Sequence, residues 1–198
     1  MTADGIAGLV LAAGESRRMG RDKPLLEYQG RPFLEVILSN LRQAEVARPV
    51  VVLGHHADEI RRAISLDDAE VVINADYRLG QTSSLQAGLR ALDSSAITGV
   101  LLCLVDHPAA SAAVMRRLQT AFRETGAPIV VPAHQGRRGH PVMIGQALFE
   151  KLLALDPGQG ANTVIQEYRN TTCFLETGED GVLLDIDDPG DYQTLCQR

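Results

Sequence analysis

Residues Leu9–Leu26 read LVLAAGESRRMGRDKPLL. The stretch begins as a continuous apolar run, the pattern of a strand buried on both faces. The run ends on Leu11, Ala12, Ala13 and Gly14, then opens into a loop holding Ser16 and the cations Arg17, Arg18, Arg21 and Lys23. In an α/β sheet, ligands bind where the chain leaves the carboxyl ends of the parallel strands. Small residues there expose backbone N–H groups, and mobile cations beside them meet the requirements of a polyphosphate. Neither common phosphate fingerprint is present. Lys23 is followed by Pro24 rather than by Ser or Thr, and only Gly14 and Gly20 stand where a dinucleotide loop needs three glycines.

The same strand–loop–helix rhythm continues along the chain. Ile6–Ala12, Pro49–Leu53, Glu70–Asn74, Gly99–Leu104 and Pro128–Val131 are short apolar runs that read as buried strands. Between them, Phe33–Ala44, Ala57–Ile64, Ser83–Leu92 and Ala112–Thr125 carry apolar residues at helical spacing. This order predicts an α/β protein, a Rossmann-like three-layer sandwich with a mostly parallel central sheet. Later segments are less regular: helices over Gln146–Leu155 and Asn162–Arg169, short strands near Cys173–Leu175 and Val182–Ile186, and a last helix from Pro189. A chain of 198 residues suits one such domain. Its nucleotide-binding half is expected over about 1–110 and its acceptor half over about 111–198.

The formal net charge is −6, aromatics make up 4% of the chain, and Trp is absent. A nucleic-acid surface needs a basic stripe and stacking rings, so that class is excluded. The cations after Gly14 are a local positive site in an acidic protein, which favours a small anionic ligand. Cys103, Cys173 and Cys196 form no CxxC pair and read as reduced thiols. No apolar run reaches the roughly 20 residues of a membrane helix, and Met1–Asp4 lack a secretory pattern, so the cytoplasm is the expected compartment.

Other constellations carry chemistry. Asp106 follows the apolar run Leu101–Val105, where a carboxylate must cap a helix, pair with a cation or bind a metal. Asp185 and Asp187 share a face in extended backbone and could complete a hard-cation site with Asp106, although an acidic stretch before a helix is also a good N-cap. Thr82, Ser83 and Ser84 are more hydroxyls than one helix cap requires. His140 stands in the polar turn before Val142, whereas His55, His56 and His134 fit no motif and read as surface residues.

The Leu9–Leu26 stretch resembles the LAAGxSxRMGxxKxLL signature of the molybdenum cofactor cytidylyltransferase family, related to the corresponding guanylyltransferases and to sugar-phosphate nucleotidyltransferases. Gly14, Ser16, Arg18, Met19, Gly20, Lys23, Leu25 and Leu26 fall on it. The resemblance implies a fold of the nucleotide-diphospho-sugar transferase type and transfer of a nucleotide from an NTP to a phosphorylated pterin cofactor. It implies Mg²⁺ on Asp106 with one of Asp185 and Asp187, the latter preferred. Nucleotide contacts are implied at Leu11, Ala12, Ala13, Gly14, Ser16, Arg18, Lys23, Ser83, Ser84 and Gly88, the later ones through the family's GxSxSLxAGL segment. Arg18, Lys23 and Asp106 would be catalytic. The family's GHPV segment, here Gly139–Val142, brings His140 to the acceptor, and Asn162 stands in the segment that carries GDxGAR in the family. This chain lacks both the Asp and the Arg of that segment, and His107 replaces the Gln of the family's D-Q-P. LAAG is the cytidylyltransferase form and LAGG the guanylyltransferase form, so CTP is implied over GTP. A molybdoenzyme or insertion chaperone would receive the product. The rival classes are a non-catalytic carrier of the pterin and a nucleotide-dependent oxidoreductase. The phosphate-loop cations and Asp106 argue against the first, and the missing glycine pattern argues against the second.

Overall fold

Residues of the first strand, β1 (Ile6–Ala12), alternate between two separate cores. Val10 and Ala12 pack with Leu34, Ile37 and Leu41 of α1 (Phe33–Gln43) and with Val114 and Leu118 of α4 (Ala112–Thr125). Leu9, Leu11 and Ala13 face the other way, onto Leu85 and Leu89 of α3 (Gln81–Ala91), Leu152 of α5 (Phe149–Leu153) and Val164 of α6 (Asn162–Glu167). A sheet apolar on both faces needs a helical layer on each, and the three-layer sandwich follows. This computed structural model describes residues 5–46 and 49–197, so the Met1–Asp4 stretch lies outside the described residues.

The remaining strands are β2 (Glu27–Tyr28), β3 (Arg31–Pro32), β4 (Val50–Leu53), β5 (Glu70–Ile73), β6 (Gly99–Leu104), β7 (Ile129–His134), β8 (Arg137–Arg138), β9 (Val142–Gly145) and β10 (Cys173–Glu176). The short helix α2 (Ala57–Ala63) joins β4 to β5, and α7 (Pro189–Cys196) closes the chain. Sheet order is β10-β7-β9-β6-β1-β4-β5, with β8 pairing β7 and a separate β2-β3 ribbon. All pairs among β6, β1, β4 and β5 are parallel, as is β10 with β7, whereas β9 runs antiparallel to both β6 and β7. The parallel strands release their loops at one end, which places the loops after β1, β4 and β6 side by side. Among the described residues, no helix is long and apolar enough to cross a membrane.

One central strand went unread in the sequence and one expected strand is corrected. The apolar Val142–Ile144 is a central strand, fully buried, inserted between β6 and β7. Val182–Ile186 is not a strand: Asp180–Leu183 is a 3-10 turn followed by extended chain crossing the sheet's end. Its backbone is satisfied from outside the sheet, with His140 N donating to Val182 O at 2.9 Å and Ile186 N to Asp106 O at 3.0 Å.

Caps settle where helices begin. Ser111 Oγ accepts from Val114 N at 3.2 Å to start α4, and Gly126 ends it at a φ of 62°. At α7, Asp188 accepts from the Gly190 and Asp191 N–H groups while Asp191 accepts from Asp188 N, a reciprocal capping box. Capping therefore consumes Asp188 and Asp191 and leaves Asp185 and Asp187 to other partners.

Gly88 is placed by packing. A Cβ there would meet Leu9 Cδ1 at 2.3 Å and Val52 Cγ2 at 2.9 Å, so α3 lies against β1 and β4 because this position has no side chain. Gly88→Ala is expected to lower stability by about 1–3 kcal/mol, read as a fall in the urea midpoint with an unchanged m-value. An unshifted midpoint would show that α3 moves off the sheet at no cost.

Candidate nucleotide and cation site

A cleft of about 340 Å³ opens at the carboxyl ends of β1 and β6. Leu11, Ala12, Ala13, Gly14, Ser16, Arg18 and Lys23 line it from the first loop, Ser84 from α3 and Asp106 and Asp187 from the far wall. A Cβ on Gly14 would meet nothing within 4 Å, so the strand end stays open to a ligand. Ser16 closes the loop on itself: its Oγ accepts from Lys23 N at 3.1 Å, and its carbonyl accepts from Gly20 N at 3.0 Å. Ser16 holds a φ of 49°, a left-handed conformation uncommon outside glycine.

The loop delivers Lys23 to two distant carboxylates. Its Nζ donates to Asp106 Oδ2 at 3.2 Å and to Asp187 Oδ1 at 2.8 Å, across 83 and 164 residues of sequence. Arg18 Nη2 donates to the other Asp187 oxygen at 2.7 Å. Burial opposes the charge on Lys23, but the two carboxylates outweigh it and raise its pKa above the ordinary value. Asp187 is shifted the opposite way, held below the usual carboxylate range by the Lys23 hydrogen bond and then by Arg18.

Asp185 does not join that group. Its Oδ1 lies 3.9 Å from His107 Nε2, and burial followed by repulsion from Asp106 raises its pKa. One donor atom each from Asp106, His107 and Asp185 lies within 4.8 Å of the others. Asp106 Oδ1 and His107 Nδ1 are buried with no hydrogen-bond partner among the described residues. Two carboxylates and an imidazole clustered in this way, one carboxylate with a buried unpartnered oxygen, are a donor set that fits a divalent cation.

The His107 ring is 4.7 Å from that of His140. Burial, then the neighbouring His107, lowers the His140 pKa to about 4, so it is neutral at pH 7. An unfolded histidine takes up its proton near pH 6.5, which means the unfolded state binds more protons between about pH 6.5 and 4. Stability is therefore lost as pH falls through that window. His140→Gln should remove about 1–2 kcal/mol of the loss between pH 7 and pH 5, measured by urea unfolding with a chelator present. Equal pH dependence in parent and variant would refute a buried neutral His140.

Four of the residues expected to contact nucleotide or acceptor lie outside the lining of this cleft. Ser83 Oγ donates to the Asp76 and Gly80 carbonyls and accepts from Asn74, so its hydroxyl serves the turn into α3. Gly88 is at the sheet–helix contact, Asn162 is exposed at the first residue of α6, and His140 is beside His107 rather than in the cleft wall. His55 and His134 are partly buried, not surface residues. His55 stacks on His56 and its Nδ1 contacts the Tyr77 hydroxyl at 3.3 Å, while His56 is bonded to Asp22 at 3.0 Å.

Two participants went unread in the sequence. Tyr77 walls the cleft, packed so close to Gly54 that a Cβ there would meet it at 2.8 Å. Glu15 pairs with Arg17 and, at 2.8 Å, with Arg78, and these guanidinium groups hold its pKa near 2. An acid directly ahead of the loop cations was the available signal for Glu15. Tyr77 had none.

Comparison with known proteins agrees with this fold. The family model described as "MobA-like NTP transferase domain" matches residues 8–172. Nicotine blue oxidoreductase of Paenarthrobacter nicotinovorans is 28% identical over 196 residues, covering 92% of each chain. Molybdenum cofactor cytidylyltransferase of Escherichia coli (strain K12) is 25% identical over 191 residues, covering 96% of this chain and 95% of that one. Among solved structures, Rv0371c of Mycobacterium tuberculosis H37Rv superposes with a TM-score of 0.89 at 32% identity, covering 100% of both chains. That protein has also been crystallised in complex with manganese.

Proposed function

Because the chain belongs to the family of MobA-like NTP transferase domains, we propose that it transfers CMP from CTP to the phosphate of a molybdopterin-type cofactor, releasing pyrophosphate. The observation that carries this reading is the convergence of Lys23, Arg18, Asp106 and Asp187 on the open end of β1. An acceptor phosphate oxygen attacks the α-phosphorus, a new P–O–P linkage forms, and the bond to the bridging α–β oxygen breaks. The phosphate nucleophile is largely ionised near neutral pH, so the protein has no proton to remove. Its work is alignment and charge neutralisation. Lys23 and Arg18 hold the triphosphate, and Ser16 keeps Lys23 in register through its backbone N–H. Mg²⁺, held by Asp106 with a carboxylate of the Asp185–Asp187 segment, would supply Lewis-acid polarisation of the phosphate oxygens. The manganese complex of the mycobacterial relative supports a divalent cation in this fold.

Pyrophosphate release with each of the four NTPs against phosphorylated acceptors, including molybdenum-loaded pterin, tests the proposal. CTP with the pterin is expected to be fastest. Similarity to nicotine blue oxidoreductase favours a second reading, hydride transfer to an aromatic acceptor. Oxidation of a reduced nicotinamide nucleotide without any pyrophosphate release would select it instead.

Base choice can be tested separately. Ala13 is buried at the cleft floor, with its carbonyl bonded to His55 N at 3.1 Å. The Ala13→Gly variant is expected to raise kcat/KM for GTP relative to CTP by about 5- to 100-fold, the discrimination one methyl can supply. An unmoved ratio would show that this residue does not set base preference.

A further inference from the structure

The geometry points to His107 as a direct nitrogen ligand of the cation at this site, acting with Asp106 and Asp185 and biasing the site toward Mn²⁺ over Mg²⁺. This deepens the nucleotidyltransferase reading and rests on it for the cation's role in turnover. The carboxylates at the cleft divide into two groups. Asp187 is saturated by cations of the chain itself, with one oxygen on Lys23 and the other on Arg18. Asp106 gives Oδ2 to Lys23 and keeps Oδ1 buried without a partner. Asp185 makes no contact with Lys23 or Arg18 and instead faces His107.

His107 has no other evident task. Its side chain is 9% exposed, and Nδ1 is buried without a hydrogen bond. Its Nε2 is 3.9 Å from Asp185 Oδ1, too far for a hydrogen bond. Yet that gap is short enough for one ion to touch both atoms at the usual metal–ligand distance of about 2.0–2.2 Å. One imidazole and two carboxylates make a mixed nitrogen–oxygen set, which suits Mn²⁺ and later first-row ions better than the all-oxygen preference of Mg²⁺. The other histidine cluster, Asp22, His55 and His56, lacks this character, because its rings stack on each other and are bonded to Asp22 and Tyr77.

Three-pulse electron spin-echo spectroscopy of the full chain with one equivalent of Mn²⁺ and no nucleotide tests the assignment. The parent should show ¹⁴N modulation from a ligated imidazole, replaced by the ¹⁵N pattern when histidine alone is ¹⁵N-labelled. His107→Gln should lose the modulation and weaken Mn²⁺ about tenfold, with Mg²⁺ affinity changed less than about twofold. His140→Gln should keep the modulation. Bound Mn²⁺ without nitrogen modulation in the parent overturns the inference and leaves an oxygen-only transferase site standing. Modulation that survives His107→Gln also overturns it, by assigning the nitrogen elsewhere. Absence of pyrophosphate release with every NTP would instead strike the transferase reading, whatever the spectrum shows.

Discussion

Asp106→Asn is expected to slow pyrophosphate release by about 10²- to 10³-fold while nucleotide affinity stays within a few-fold of the parent. The substitution preserves shape and one acceptor oxygen, so the contact with Lys23 survives in weaker form. What it removes is the negative charge of the carboxylate that clusters with Asp185 and His107. In the proposed reaction the base and sugar would be held by the β1 loop and α3, which are untouched, so the loss should fall on kcat rather than on KM. Folding stability should move by less than about 1 kcal/mol, because the carboxylate is partly solvated. Normal turnover of Asp106→Asn at low Mg²⁺ or Mn²⁺ would place the cation elsewhere.

Lys23→Ala should lower kcat/KM for the nucleotide by about 10- to 100-fold, the value of a charge-assisted contact to phosphate. It should also cost stability, because two carboxylates are left facing each other without their ammonium. Lys23 is only 11% exposed, but its partners are 23% and 29% exposed, so solvent screens the pair and about 1–2 kcal/mol is the expected loss. The effect has a pH signature. Asp187 is held low by Lys23, so its contribution is present above its unfolded pKa and disappears as pH falls through the folded value. Removing Lys23 weakens that acid-side dependence, and the part due to Arg18 remains. Arg18→Ala should weaken nucleotide use too, but cost little stability, since that side chain is 71% exposed. Unchanged kinetics in both variants, with wild-type circular dichroism, would sink the phosphate-loop assignment.

The sequence alone was sufficient for the strand–helix order as far as β7 and for the loop that carries Lys23. Those features are local: apolar runs of strand length, helical spacing, and small residues ahead of clustered cations each report on a few neighbouring residues. The placement of Asp106 was equally legible, because a carboxylate directly after a continuous apolar strand has few places to go. Tertiary structure decided the rest. Whether Val142–Ile144 runs parallel or antiparallel depends on which strands flank it, and no residue within the segment encodes that. Period-two spacing put Asp185 and Asp187 on one face, yet they serve different partners. The chain there is not in a ladder, and Lys23 and Arg18 arrive from more than 160 residues away to claim only one of them. The glycine in α3 also has a packing reason that the sequence did not show, because Leu9 and Val52 occupy the space a side chain would need. His107 and His140 were two unrelated motifs in the sequence, and the antiparallel pairing of β9 with β6, with Val142 opposite Leu102, makes them neighbours. Local patterns fix what a segment becomes, whereas partners distant in sequence fix what its charged groups do, because charge and burial act through space rather than along the chain.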